Sequence, residues 1–177
     1  MPNWVKNRVE FYSPDKDLLE EICRAVAEEE LFSTFCPCPK EVQDQGDEQE
    51  LAWYAENWGT RWDVCFADAE LIEEREFDGK MMGGVLAIFD TPWDPPLGFY
   101  ARLQEGFPDM EIHAAYEDLG NGCRGIYYNG TQHEEELGEE VTVSFGERVR
   151  LKCILDNPAS FFSFQGQEPP GFPGKSW

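Results

Sequence analysis

The sequence predicts an α+β fold: one antiparallel sheet with two helices on one of its faces. Three observations predict it. Short β-like runs, most of them alternating apolar and polar, recur along the chain with the period of half-buried strands. Two other segments place a proline in their first turn and apolar residues on one helical face. The order of these pieces is strand, helix, strand, strand, helix, strand.

The first strand is Asn3 to Tyr12, with Val5, Val9 and Phe11 on one side and Lys6, Arg8 and Glu10 on the other. Ser13-Pro14 starts the first helix as a hydroxyl N-cap followed by proline. Leu18, Leu19, Ile22 and Val26 form its buried face, and Glu28-Glu29-Glu30 ends it. Residues 31–56 read as a long, irregular, partly packed excursion, with Leu51 to Glu56 as a short helix. A loop of this length in a small domain usually has an ordered piece or a task of its own. Trp62, Val64 and Phe66 alternate with Asp63, Cys65 and Ala67 as a second strand, and Asp78-Gly79 is a turn signal. Val85 to Phe89 is the antiparallel return strand. Asp94 is expected to cap the second helix, which buries Phe99, Tyr100 and Leu103 and stops at a left-handed Gly106. Met110 to Glu117 is a further strand, and Ile126 to Tyr128 turns at Asn129-Gly130 into a partner starting at Thr131. Val141 and Val143 extend that sheet, and Ser144 opens a short helix reaching about Leu155. The order is that of a ferredoxin-like, split β-α-β domain over residues 1–156. Residues 157–177, rich in Phe, Pro and Gly, form an irregular C-terminal extension.

Composition narrows the function. A chain of 177 residues with 41% hydrophobic and 14% aromatic content has enough material for one core. Its 14 Lys+Arg against 36 Asp+Glu give a net charge of −22, which repels nucleic acid and anionic membrane. A basic partner is the natural counterpart. The start Met1-Pro2-Asn3-Trp4 runs straight into a strand, and no apolar stretch is long enough to cross a bilayer, so a cytoplasmic location is expected. Cys23, Cys36, Cys38, Cys65, Cys123 and Cys153 are then reduced thiols. The Cys36-Pro37-Cys38 spacing is not that of a zinc knuckle or a redox pair, and no metal or cofactor is expected.

Four local signatures resemble the YubB-type ferredoxin-like proteins of plasmids and phages. They are Pro2 to Asn7 (PNWVKN), Glu56 to Trp62 (ENWGTRW), Phe89 to Pro96 (FDTPWDPP) and Glu117 to Cys123 (EDLGNGC). The resemblance implies the fold and a mobile-element origin. It implies no activity, because that family has no assigned function.

The densest local chemistry is Asn57-Trp58-Gly59-Thr60-Arg61-Trp62-Asp63. If its strand and the one ending in Thr91 and Trp93 are hairpin partners, the two indole-rich corners meet as a binding site with Trp58 and Trp93 as its aromatic walls. The structural alternative makes Trp58 and Trp62 core anchors, Gly59 a kink, and Arg61 a buried partner of Asp63 or Asp90. Alternation also places Lys6, Arg8, Arg61, Asp63, Glu111, His113 and Glu117 on a free sheet face. That face is either a polar platform or a set of cross-strand ion pairs. His113 with Glu111 or Glu117 is the one base-and-carboxylate arrangement for catalysis. No phosphate-cradling glycine loop or nucleophile elbow is present. The expected function is therefore a non-enzymatic, acidic binding protein that engages a basic host partner. The rows Glu70, Glu73, Glu74, Glu76, Asp78 and Glu134 to Glu136, Glu139, Glu140 would serve as a DNA mimic against host defence. The alternatives are a small-ligand site at residues 57–63 and 91–93, or an enzyme around His113. Direct nucleic-acid and membrane binding are not expected, and the oligomeric state is not legible in the sequence.

Overall fold

A computed structural model describes residues 2–136. The expected elements at residues 141–155, the extension 157–177 and the boundary between them lie outside the described residues.

Within the described part, six antiparallel strands form an open sheet in the order β2-β3-β1-β4-β5-β6. Strand β1 (Trp4–Ser13) is central, paired with β3 (Lys80–Pro92) on one side and β4 (Glu111–Asp118) on the other. Strand β2 (Cys65–Phe77) returns through Asp78-Gly79 into β3. Asp78 and Gly79 have φ of 48° and 80°, the left-handed pair that a two-residue hairpin turn requires. Strands β5 (Cys123–Tyr128) and β6 (Thr131–Glu136) turn at Asn129-Gly130 in the same way, with φ of 43° and 84°.

Helix α1 (Lys16–Ala27) buries Leu18, Leu19, Ile22, Ala25 and Val26. Its cap is Asp15, not Ser13: the Asp15 carboxylate accepts from the Asp17 and Leu18 amides at 3.1 and 3.2 Å. Ser13 Oγ instead accepts from the Asp15 amide, which sets up the cap one step earlier. Helix α5 (Leu97–Gly106) buries Phe99, Tyr100 and Leu103. Asp94 does not cap it. Pro96 stands at the cap position, and the Phe99 amide donates to the carbonyl of Trp58 at 3.0 Å. An orphan donor of the helix start is thus satisfied by a distant backbone group. Gly106 is the last helical residue and is not left-handed. Both helices pack into one core with Val9, Phe11, Val85, Ala87, Phe89, Ile112 and Ala114.

The excursion after α1 is more ordered than expected. It holds α2 (Leu31–Phe35), α3 (Lys40–Gln43) and α4 (Asp47–Asn57). Leu31 and Phe32 are fully buried, so this segment extends the core. The second strand also differs: β2 begins at Cys65, not Trp62. Asp63 is drawn out of strand pairing because its carboxylate accepts from the Phe32 and Ser33 amides, both at 2.8 Å, at the start of α2.

The face opposite the helices is not open at its centre. Arg8, Glu10, Tyr12, His113 and Ala115 are all buried. A register shift between Ile72 and Arg75 is part of the reason. Such irregularities re-aim side chains, and beyond this one Phe77 stands 4.8 Å from the Tyr12 ring and 5.6 Å from His113. Arg75 lies over Tyr12 and pairs with Glu10 at 3.2 Å, and Tyr12 also donates to Glu10 at 2.7 Å. Of the residues expected to share this face, Lys6, Arg8, Glu111, His113 and Glu117 do so by register, whereas Arg61 and Asp63 precede β2 and do not.

Toward one edge of this face, charge alternates across four strands. Lys6 is in register with Asp90 on β3 and Glu117 on β4, and Glu117 with Arg124 on β5. Burial pushes the Asp90 carboxyl above its ordinary range, and Lys6 only partly offsets this. A raised carboxyl makes the native state take a proton more readily than the unfolded chain. Stability then falls as pH rises from the unfolded value, about 4, through the raised native one. Asp90→Asn removes that cost. Its melting temperature should exceed the parent's at pH 7, and the gain should shrink toward pH 4. A lower melting temperature at pH 7 would show that the attraction of Lys6 outweighs desolvation.

Candidate functional site

Helix α4 leads directly into the 57–63 stretch, and its last turn fixes the first residues there. Asn57 Nδ2 donates to the Trp53 carbonyl at 2.9 Å, and Asn57 Oδ1 accepts from Arg102 at 2.8 Å. Trp58 closes the helix by donating its amide to the Tyr54 carbonyl at 2.8 Å. Its ring is only 2% exposed. It stacks on Tyr54 at 4.0 Å, meets Phe32 and Trp53, and donates Nε1–H to the Cys36 carbonyl at 2.9 Å. Trp58 is therefore an anchor of the core.

Gly59 then turns the chain outward with φ of 85°. Its backbone lies against the first turn of α5: a Cβ there would stand 3.1 Å from the Pro95 oxygen and 3.2 Å from the Gly98 nitrogen. Thr60 is buried and donates its hydroxyl to the Pro92 carbonyl at 2.8 Å. Thr91, fully buried, accepts from Asn7 at 3.0 Å and donates to the Asp94 carbonyl at 2.9 Å. The Trp93 amide donates to the Asn3 carbonyl at 2.7 Å.

The two corners meet as expected, because β2 and β3 run antiparallel with Cys65 opposite Asp90. The meeting residues are not the expected pair. Trp58 faces inward, and Trp62 approaches Trp93 at 5.1 Å between ring centres. Arg61 is exposed and holds its guanidinium 5.3 Å over the Trp93 ring, so it is not a buried ion-pair partner. Of the nominated residues, Arg61, Trp62 and Trp93 present side chains outward, while Asn57, Trp58, Thr60, Thr91 and Asp63 hold the turn in place.

Two residues complete the surface that the sequence did not nominate. Trp4 stands 6.4 Å from Trp62 and 5.4 Å from Phe66. Phe66, which alternation sets on the same side of its strand as the buried Val64, is 66% exposed. The register shift between Cys65 and Asp68 and a left-handed φ of 52° turn it out. Periodicity cannot show a bulge. Phe66, Trp4, Trp62 and Trp93 therefore form a continuous aromatic row ending under Arg61. Carboxylates stand around it. Asp94 is exposed beside Trp93; Glu29 accepts from the Ala67 amide at 3.3 Å; Asp90 is in register with Cys65.

The other nominated chemistry is differently placed. His113 is fully buried beneath Tyr12, Phe77 and Tyr128, so a substrate has no route to its ring. Its Nε2 lies 3.7 Å from Glu111, whose carboxyl is held below the usual range by His113 and Asn129. Cys23, Cys36, Cys38, Cys65 and Cys123 are free thiols, each pushed upward by burial. Among the described residues no group of three or more His, Cys, Asp or Glu is placed to hold a metal ion, and no helix is long and apolar enough to cross a membrane. A groove of about 150 Å³ between α1 and the β2-β3 hairpin, lined by Leu19, Leu71, Ile72, Gly83 and Gly84, is smaller than the roughly 300 Å³ at which small-molecule sites begin.

Fold and surface together define an acidic α+β protein with an outward-facing aromatic row. No family model matches the chain, and no curated protein matches it. A distant structural likeness exists to a crystal structure of protein api92 from Yersinia pseudotuberculosis, family model DUF1281, with 20% identity and a TM-score of 0.38. That match covers 62% of this chain and 40% of the other, so this chain spans less than half the length of its neighbour.

Proposed function

We propose that this chain is a non-enzymatic binding protein that engages a basic partner through its acidic surface. The strand order β2-β3-β1-β4, with α1 and α5 at the crossovers, supports a ferredoxin-like scaffold extended by the β5-β6 strands. A mobile-element origin rests on the resemblance of the four signatures alone.

The observation that carries the reading is where the carboxylates stand. Edge strand β2 exposes Glu73, Glu74 and Glu76, and Asp78 follows in the turn. Helix α1, packed alongside, exposes Glu20 and Glu21, with Glu28, Glu29 and Glu30 just beyond. Together they make a face on which carboxylates outnumber bases, with Lys16 paired to Glu74 at 3.0 Å and Arg24 to Glu28. A charged edge also blocks pairing with another sheet, so this face favours a partner recognised by charge over one recognised by backbone. A DNA-binding surface is one partner of this kind, with carboxylates standing in for phosphates.

Immobilised chain exposed to cell lysate should retain proteins of high isoelectric point and release them as salt rises from about 0.1 to 1 M, where the screening length falls from about 10 to 3 Å. Glu73→Gln/Glu74→Gln/Glu76→Gln should weaken the capture. Retention of acidic or neutral proteins, indifferent to salt, would overturn the reading. Competition by duplex DNA would single out the DNA-mimic form.

A further inference from the structure

We propose that the row Phe66–Trp4–Trp62–Trp93 receives the arginine or lysine side chains of a basic protein segment. This rests on the reading of a basic partner and names where its cations go.

Four observations point the same way. First, the row is continuous and reaches the surface: Phe66 is 66% and Trp62 42% exposed, Trp4 and Trp93 are half-buried, and adjoining centres are 5.1 to 6.4 Å apart. Single exposed apolar residues are ordinary, whereas contiguous ones mark interaction surfaces. Second, the backbone is strained to hold the rings there. Phe66 and Trp93 have φ of 52° and 67°, a region disfavoured for a residue with a side chain, and such strain clusters at functional positions. Third, the ring faces already accept a cation, since Arg61 sits 5.3 Å over Trp93. Indole is the best aromatic partner for a guanidinium.

Fourth, the surroundings select the sign of the ligand. Asp94 stands at one end of the row facing Arg61, Asp90 faces Lys6, Glu29 lies near Phe66 through the Ala67 amide, and the chain carries −22 overall. Bases stack well on tryptophan, but a polyanion would be repelled. A cation is attracted by rings and carboxylates alike.

The test uses the full chain and three synthetic peptides of one length: alternating Arg-Ser, alternating Lys-Ser, and alternating citrulline-Ser. Citrulline keeps the planar shape of arginine without its charge. Calorimetry should show binding of the arginine peptide, weaker binding of the lysine peptide and none of the citrulline peptide. Trp62→Ala/Phe66→Ala should weaken arginine-peptide binding at least tenfold without lowering the melting temperature by more than a few degrees. Full-strength binding by that variant would overturn the proposal and leave the basic-partner reading standing. No binding of either cationic peptide at low salt would sink both. Equal binding of the citrulline peptide would identify an apolar docking surface and reject the cation.

Discussion

Trp58→Ala is expected to destabilise the fold by about 3–5 kcal/mol, the cost of deleting a large buried ring. The ring is 2% exposed and touches Tyr54, Phe32 and Trp53, three aromatic neighbours that cannot all move into the space it leaves. Its indole N–H also satisfies the Cys36 carbonyl, so the substitution leaves that oxygen without its protein donor as well as creating a cavity. For a domain of this size each kcal/mol moves the melting temperature by several degrees, and the loss should be plain in thermal or urea unfolding. Trp62→Ala, four residues on, is the contrasting case: with 42% of its surface already in water, it should cost little stability. Similar losses at the two sites would contradict the division of the Asn57–Asp63 stretch into a buried half and a displayed half.

The second large effect is expected where two backbones touch. Gly59 and Gly98 lie against each other. A Cβ on Gly98 would stand 2.9 Å from the Asn57 oxygen and 3.1 Å from the Gly59 nitrogen, both of them backbone atoms with no rotamer to yield. Gly98→Ala should therefore cost about 1–3 kcal/mol as overpacking. Gly59→Ala adds to a comparable clash the left-handed penalty of about 1–2 kcal/mol. Gly122→Ala is the matched control, left-handed at 68° with nothing within 4 Å of its would-be Cβ. The difference between Gly59→Ala and Gly122→Ala measures the backbone contact alone. Equal costs at the two positions would mean that α5 does not lean on the 57–59 turn.

How much of this was legible depended on the range of the interaction involved. The elements that position the site follow from local pattern. Val5, Val9 and Phe11 mark β1; Leu18, Leu19, Ile22 and Val26 mark α1; Asp78-Gly79 and Asn129-Gly130 mark the hairpins. Each signal spans a few residues and has one physical cause. The meeting of the 57–63 and 91–93 corners was legible too, because it needs only that the strands on either side of Asp78-Gly79 pair antiparallel.

Apart from the α1 cap and Gly106, which are local, the misreadings come from contacts between segments far apart in the chain. Asp63 looked like a strand residue or an ion-pair partner; it caps α2, thirty positions earlier, and ends the strand pattern where β2 was expected to start. Asp94 looked like an N-cap, but the α5 start donates its Phe99 amide to the Trp58 carbonyl. The 31–56 excursion looked irregular because short helices held by Leu31 and Phe32 against a distant sheet leave no periodic trace. Phe66 alternates in sequence with the buried Val64 yet faces outward, because alternation assumes an unbroken register and the bulge after Cys65 breaks it.

By itself, then, the sequence determined the strand and helix order, the hairpin turns, the acidic balance and the stretch where aromatic chemistry is densest. Those are properties of composition and of neighbours along the chain. Only the tertiary structure decided which tryptophans are core and which are surface, that Trp4 and Phe66 join Trp62 and Trp93, and that His113 is sealed under rings. The physical reason is that burial is a property of what packs on a residue from elsewhere. Indoles in one seven-residue stretch carry the same local signal whether they face Tyr54 or water.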